Sequence, residues 1–202
     1  MRSTANLAIC EAAAADWLRI ARLHARSWKS AYGRVLSADY LEHRVEAERE
    51  AAWKERIGGG LPNGFVVLLA LEGEELVGFV SVRLDADAEW GSTIENLHVD
   101  PERKGRGTGR LLMAAAARWV LARRPESRLY LWVFEENRAA CGFYQRMGGE
   151  AVELGPRSAP DGGMAPEFRF VWQRAQLAAL AAGLEAGEAN ATAGTVRLRE
   201  GA

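Results

Sequence analysis

Residues 94–112 read IENLHVDPERKGRGTGRLL, and this stretch decides the fold prediction. Its apolar beginning predicts a strand, and Pro101 ends that strand because proline has no N–H for a ladder hydrogen bond. Leu111 and Leu112 begin the apolar face of a helix that we place at residues 107–123. A basic turn with three glycines joins the two elements. The segment therefore predicts a strand, a tight turn and a helix in direct succession.

The glycine-rich turn has the features of an anion site. Gly105, Gly107 and Gly109 lack side chains, so consecutive backbone N–H groups can face one ligand. The start of the following helix adds unpaired N–H groups and the positive end of the helix dipole. Arginine suits bidentate contact with phosphate, and lysine acts as a point charge. The cationic residues expected around the turn are Arg103, Lys104, Arg106 and Arg110. We therefore predict a pyrophosphate site.

Two other nucleotide motifs fit this turn poorly. The dinucleotide fingerprint needs G-x-G-x-x-G and an acidic residue at a strand end roughly 20 positions later, whereas these glycines alternate and the segment after the helix supplies no acid at a strand end. A P-loop needs Gly-Lys-Ser/Thr, and Gly109-Arg110-Leu111 departs from it. A purely structural connection from strand to helix can have the same glycine spacing. The glycines alone therefore do not decide the function.

Composition and charge limit the classes of protein. The 202 residues suit one domain, and with 49% apolar residues the chain can bury a core. The 26 basic and 27 acidic residues almost cancel, which gives no reason to expect nucleic acid or an anionic membrane as a partner. Cys10 and Cys141 lie far apart without metal-ligand spacing. The longest apolar run, 65–71, is far shorter than the roughly 20 residues that span a bilayer. We therefore expect a cytoplasmic protein without a membrane partner.

The pattern of apolar residues predicts the order of elements around the turn. Helices are expected at Ala12–Lys29 and at Asp39–Ile57, where three glycines end the second helix. The remaining elements are a hairpin of Phe65–Leu71 with Leu76–Leu84, strands Thr93–Val99 and Leu129–Phe134, a helix Asn137–Met147, and a closing hairpin of Ala151–Leu154 with Phe168–Gln173 around a loop at 155–166. This succession predicts a domain over residues 1–173.

Residues 174–202 form an Ala-, Gly- and Glu-rich tail. We expect a short helix around Gln176 to Leu184, followed by disorder. A short strand at Thr195–Leu198 is the alternative for the end of the chain.

Two motifs in this order resemble the GNAT superfamily of acetyl-CoA-dependent N-acetyltransferases. Val99-Asp100-Pro101 followed by residues 104–109 matches V-x-P-x-x-[R/Q]-x-x-G-x-G at all but one position, where Lys104 replaces Arg or Gln. Asn137 through Tyr144 to Gly148 matches N-x(6)-Y-x(3)-G. The resemblance covers roughly residues 7–173 and implies a three-layer α/β domain. Its sheet would be mixed, mostly antiparallel and six- or seven-stranded.

A second departure from the family pattern is Gly149, where an aromatic residue is usual. We expect it to change local packing rather than catalysis. The helix that ends at residues 24–32 is similar to the first helix of many members of the family.

The resemblance implies how acetyl-CoA is held. Pantetheine would lie between two splayed strands and pair with the backbones of Leu97 and Val99. The N–H of Leu97 would also lie near the thioester oxygen and stabilise its developing charge. Asn137 resembles the residue that contacts coenzyme A, although Asn is also a common N-cap. The pyrophosphate-binding residues would be Lys104, Gly105, Arg106, Gly107, Thr108, Gly109 and Arg110.

Two residues are candidates for proton transfer. Tyr144 is the candidate general acid for the leaving thiolate, and the alternative is a buried tyrosine that holds its helix on the sheet. Glu95 shares strand parity with Leu97 and Val99 and is the candidate base, directly or through a water. A solvated strand glutamate is the alternative for Glu95.

The acceptor pocket is predicted from aromatic residues. Trp28, Tyr32 and Trp132 would wall it, with core packing as the alternative. The parity of His98 is opposite to that of Glu95, and we assign no chemistry to His24, His43 or His98.

The resulting hypothesis is an N-acetyltransferase in which a primary amine attacks acetyl-CoA directly, without a metal. The acceptor would be a small-molecule or peptide amine, and a homodimer stays open. The alternative is a non-catalytic acyl-CoA-binding sensor or interaction module, and a nucleotide-binding regulator is a third hypothesis.

Overall fold

Two apolar strands form the centre of the fold. In the computed structural model, which describes residues 7–190, β2 (Phe65–Glu72) and β3 (Glu75–Asp87) form the expected antiparallel hairpin. Residues 65–70 of β2 are all buried, because helices cover both faces of the sheet at this point. The continuous apolar run in the sequence reflects this burial.

Five more strands extend the sheet on both sides of the hairpin. They are β1 (Leu7–Glu11), β4 (Gly91–Val99), β5 (Leu129–Phe134), β6 (Glu150–Ser158) and β7 (Met164–Trp172). The strand order is β1-β2-β3-β4-β5-β7-β6, and neighbours are antiparallel except for β4 and β5. The predicted mixed, mostly antiparallel sheet is confirmed, with seven strands.

Helices form a layer on each face. The α-helices within residues 7–190 are α1 (Trp17–Ala31), α2 (Val45–Ile57), α3 (Thr108–Arg123), α4 (Arg138–Arg146) and α5 (Arg174–Asn190). The first two pack on the face that carries Val67 and Phe79, whereas α3 packs on the opposite face, which carries Val66 and Val80. The predicted three-layer α/β arrangement is confirmed. Among the helices within residues 7–190, none combines the length and the apolar character that crossing a bilayer requires.

The helix expected near the C-terminus is longer than predicted. It begins at Arg174, and Leu177 is fully buried in the core beneath α3. The helix continues to Asn190, so the prediction of disorder directly after Leu184 is wrong, and the rest of the tail, with the alternative strand at Thr195–Leu198, lies outside the described residues.

The closing hairpin is also longer than predicted, and the expected loop at 155–166 is mostly strand. Residues of β6 and β7 pair as far as Ser158 with Met164, which leaves a short connection. Because β6 is the edge of the sheet, Pro156 can lie in it without removing a hydrogen bond from an inner ladder.

A β-bulge in β4 corrects the predicted orientation of Glu95. Ser81 of β3 pairs with Asn96, but the next residue, Val82, pairs with Ile94, so Glu95 is the extra residue. Its side chain contacts Arg56 of α2, on the helical layer that His98 also faces. The prediction that Glu95 shares the parity of Leu97 and Val99 and opposes His98 is therefore wrong, because alternation is interrupted at the bulge.

The side chain of Trp172 fills the space that a side chain at position 149 would need. A Cβ atom built on Gly149 would lie 2.5 Å from Cζ2 of the Trp172 indole. The indole is fully buried, and its Nε1 donates to the carbonyl of Met147 at 2.9 Å. Trp172 from β7 thus fills the space beside the end of α4.

We expect Gly149→Ala to destabilise the fold by about 1–3 kcal/mol, because overpacking a filled core forces neighbours to move. Gly155→Ala is the matched control, since a Cβ at Gly155 would meet no atom within 4 Å. Urea unfolding of the two variants and the parent measures the difference. Equal stability of the two variants would show that Trp172 does not close this position.

Candidate functional site

An opening in the middle of the sheet is the main feature of the candidate site. The parallel strands β4 and β5 pair only at Ser92 with Leu129 and at Thr93 with Tyr130. Beyond Thr93 the two strands diverge, although both continue for several residues. The predicted splaying is therefore present, and it leaves a gap that leads toward the end of β4.

The backbone of β4 presents polar groups to this gap. The N–H of Asp100 donates to the carbonyl of Val77 on β3 at 2.9 Å. Main-chain groups alternate in direction along an antiparallel strand, so those of Val99 and Leu97 point away from β3 and toward the gap. The side chains of Leu97 and Val99 pack against the core on the α3 side. Only their main chain is available to a ligand in the gap.

The glycine turn connects the gap to the N-terminus of α3. Gly105 and Gly107 have φ angles of +79° and +91°, in the left-handed region that glycine tolerates best. The helix begins at Thr108, which is buried. A Cβ on Gly109 would lie 3.3 Å from the ring of Phe143, so α3 and α4 meet closely here. The turn therefore has the backbone shape that an anion cradle at a helix N-terminus needs.

The cations of the turn fall into two groups. Lys104, Arg106 and Arg110 are exposed, and within the described part of the chain no carboxylate forms an ion pair with any of them. Arg103 instead pairs with Glu72 and Glu75 on the β2–β3 hairpin. The expectation that Arg103 serves the anion is therefore corrected, because its charge is already neutralised at the hairpin.

Asn137 connects the gap to α4. Its Oδ1 accepts a hydrogen bond from the N–H of Ala140 at 3.3 Å, so it caps the helix. Burial raises the pKa of Tyr32 to about 12, and a hydrogen bond from the Asn137 side chain opposes that rise. Asn137 therefore has a structural role as an N-cap and also reaches the end of α1.

Tyr144 is buried on α4. Its ring packs against Phe170 and Trp172, with centroid distances of 5.8 and 6.0 Å. Burial raises the pKa of Tyr144 well above its ordinary value, and the nearby Tyr32 and Cys141 raise it further. The phenol is therefore protonated at neutral pH.

Glu95 lies between two arginines. Its carboxylate is 2.6 Å from Nε of Arg83 and 2.8 Å from Nη1 of Arg56. Oε1 accepts a hydrogen bond from Arg83, whereas Oε2 is buried and, although Arg56 is near, no residue in the described part of the chain donates a hydrogen bond to it. Oε2 is therefore the carboxylate oxygen that can accept a further hydrogen bond.

A cavity of about 250 Å³ lies between β4 and the α1–α2 layer. Its lining residues are His24, Arg49, Ala52, Trp53, Arg56, Glu95 and Asn96. Sequence reasoning missed His24 and Arg49. The available signal was a histidine on the apolar face of α1, four residues before Trp28, but nothing in the sequence located the arginine beside it.

The two histidines near the cavity are buried and neutral. The His24 and His98 rings lie 4.2 Å apart, and Nδ1 of His98 lies 3.0 Å from the Ser27 hydroxyl. Burial, together with the positive charges of Lys104 and Arg49, lowers the pKa of His98 to about 3. Burial likewise lowers the pKa of His24 well below its ordinary value.

The three aromatic residues predicted to line the acceptor pocket lie in two separate places. Trp28 and Tyr32 are neighbours at the end of α1, with ring centroids 5.6 Å apart. Trp132 lies on the same face of the sheet, but it is held between the guanidinium groups of Arg157 and Arg169, at 4.0 and 4.5 Å. None of the three aromatic residues lines the cavity beside Glu95.

The family model and the relatives that match this sequence are those of acetyltransferases. The sequence model of the acetyltransferase (GNAT) family matches residues 17–149. The uncharacterized N-acetyltransferase YuaI of Bacillus subtilis is 30% identical over 145 residues, which are 70% of this chain and 79% of that protein.

Solved structures share the fold at lower identity. The PaiA N-acetyltransferase of Thermoplasma acidophilum, in complex with coenzyme A, has a TM-score of 0.63 and 19% identity over 83% of this chain and 98% of its own. YncA, a putative acetyltransferase of Salmonella typhimurium with its cofactor acetyl-CoA, has a TM-score of 0.58 and 20% identity over 84% of this chain and 94% of its own. With a family match over more than half of its length, the chain belongs to the acetyltransferase (GNAT) family.

Proposed function

We propose that this protein transfers the acetyl group of acetyl-CoA to a primary amine by direct attack. The observation that carries the proposal is the gap between β4 and β5 that leads to the glycine turn at α3. A ligand with a long polar arm and a pyrophosphate matches this succession. The complexes of PaiA with coenzyme A and of YncA with acetyl-CoA support the choice of ligand.

The residues present fit coenzyme A at both ends of the gap. Lys104, Arg106 and Arg110 would surround the pyrophosphate, while the N–H groups from Gly105 to Gly109 bind it through the main chain. Gly107 and Thr108 lie within this run and are also expected to contact the pyrophosphate. The backbones of Leu97 and Val99 would pair with the amides of the pantetheine arm.

Acetyl-CoA supplies a thioester, in which the acyl carbon is open to attack by a neutral amine. A new N–C bond forms, and the C–S bond breaks with its electron pair passing to sulfur. The N–H of Leu97 would stabilise the negative charge that develops on the acyl oxygen.

Tyr144 would give the departing thiolate its proton. With ordinary pKa values of about 10 for tyrosine and about 8.5 for a thiol, this transfer is uphill in water. The raised pKa of Tyr144 increases the difference. The proposal therefore requires a desolvated thiolate, because removal from water makes the thiolate more basic as well.

Glu95 would accept the proton of the amine through a water molecule. Arg83 occupies Oε1, but Oε2 accepts no hydrogen bond from a described residue, so a water bound there can relay the proton. Asn137 would contact coenzyme A while it caps α4.

Release of free thiol from acetyl-CoA with a panel of primary amines tests the activity. We expect at least one class of amine to give thiol and N-acetyl product in equal amounts. Binding of coenzyme A without product from any amine would contradict catalysis and favour the acyl-CoA sensor. Tighter binding of ATP than of coenzyme A in calorimetry would favour the nucleotide-binding regulator.

Tyr144→Phe is expected to lower kcat by about 100-fold or more, within the range that general acid–base catalysis contributes. The affinity for coenzyme A should change little, because the ring remains in place. Steady-state kinetics and calorimetry measure the two quantities. An unchanged kcat would remove Tyr144 as the acid and leave it a packing residue.

Gly107→Glu is expected to abolish coenzyme A binding, because it places a carboxylate and a strained left-handed residue in the cradle. Gly162→Glu is the matched control: the φ angles are +91° and +92°, and a Cβ at either position meets no atom within 4 Å. Calorimetry with coenzyme A compares the two variants. Equal affinities would contradict the pyrophosphate site.

A further inference from the structure

We infer that the acceptor is a small amine carrying a carboxylate, and that Arg49 and His24 bind this carboxylate in the cavity beside Glu95. The inference rests on the proposed function and names its substrate class. It depends on hydrogen-bond donors at the cavity that no described residue satisfies.

The charged side chains around the cavity carry an excess of positive charge. The cavity lining holds two guanidinium groups, those of Arg49 and Arg56, and one carboxylate, that of Glu95, while Arg83 lies outside the lining. Arg56 and Arg83 both contact Glu95, so the cavity keeps a net positive charge. A polycationic amine would be repelled, whereas an amine with a carboxylate would be attracted.

Arg49 forms no ion pair with a carboxylate in the described part of the chain. It stacks on the Trp28 indole at 4.5 Å, and its buried Nε has no hydrogen-bond partner among residues 7–183. Glu48, the preceding residue of α2, binds Tyr40 and Arg44. A buried guanidinium N–H without a partner raises the free energy of the folded protein, and a hydrogen bond to a ligand carboxylate would lower it again.

His24 supplies a second donor at the same cavity. Nε1 of Trp53 can only donate, so Nδ1 of His24, at 2.9 Å, is the acceptor. The ring is neutral, since burial lowers its pKa, and the single ring proton is therefore on Nε2. This Nε2 is buried without a partner in the described part of the structure. It can donate to a carboxylate oxygen without a change of charge.

The other side of the cavity suits the amino group. The Asn96 side-chain nitrogen donates to the Ser81 hydroxyl at 2.9 Å, so its Oδ1 remains available as an acceptor. Asn96 and Glu95 are adjacent on β4, next to the residues whose backbone faces the gap. One small molecule could thus direct its amine toward β4 and its carboxylate toward Arg49.

The volume of the cavity sets the size of the acceptor. At about 250 Å³ it lies below the roughly 300–1,000 Å³ of sites for drug-sized ligands. An α-amino acid has the required size and carries both groups.

Matched acceptor pairs test the inference. Each common L-α-amino acid is compared with its carboxamide, which keeps the amine and the side chain and removes the charge. We expect kcat/KM to be at least about tenfold higher for the carboxylate of the preferred pair, a difference of about 1.4 kcal/mol. Spermidine is expected to be a poor acceptor. Carboxamides or spermidine that react as well as the amino acids would overturn the carboxylate site.

Variants at position 49 test whether Arg49 causes the preference for a carboxylate over a carboxamide. Arg49→Gln should remove the preference for the carboxylate, and Arg49→Lys should restore part of it, with coenzyme A affinity unchanged in both. Arg22→Gln is the control, because Arg22 is exposed on the same pair of helices and lies 3.8 Å from Glu50. A preference that survives in Arg49→Gln would overturn the assignment of Arg49.

Calorimetry in the presence of coenzyme A separates this inference from the proposed function. Arg49-dependent binding of amino acids without thiol release would support the carboxylate site and contradict the transferase activity. Equal acetylation of carboxylates and carboxamides would support the activity and overturn the site. If amino acids neither bind nor react, the inference fails.

Discussion

The early end of hydrogen bonding between β4 and β5 determines the rest of the site. Two pairs of residues join these strands, and beyond Thr93 the backbone of β4 has an open edge in the middle of the sheet. Buried backbone groups need partners, so this edge is suited to a ligand with amides of its own. The glycine turn then leads from the end of this edge to the first turn of α3.

The parts of the fold that depend on local sequence could be predicted well. Leu129–Phe134 has the same bounds in the prediction and in the structure, because its apolar residues lie between clear breaks. The turn after Pro101 could be predicted because its glycines are needed wherever the backbone adopts positive φ. The motif around Asn137 and Tyr144 could also be recognised, because it lies within one short segment of sequence. Its position after the glycine turn indicated the family.

The parts that depend on distant segments could not be predicted. The orientation of Glu95 follows from how β4 pairs with Ser81 and Val82, and alternation within one strand gives no sign of the bulge. The neutralisation of Arg103 by the β2–β3 hairpin requires knowledge of which strands are neighbours. His24 and Arg49 meet only because α1 and α2 pack together over the sheet. The residues that distinguish this site from others on the same fold are largely of this kind.

The segment that leads into the glycine turn is held at both of its ends before any ligand arrives. Asp100 pairs with Arg26 of α1 at 2.7 Å, and Arg103 pairs with Glu75 at 2.8 Å. A cradle ordered in advance loses little conformational entropy on binding, which favours affinity and rapid association. These ion pairs are partly exposed, so dissolved salt weakens them. Salt also screens the attraction between the turn and an anion, and high ionic strength therefore acts twice on this site.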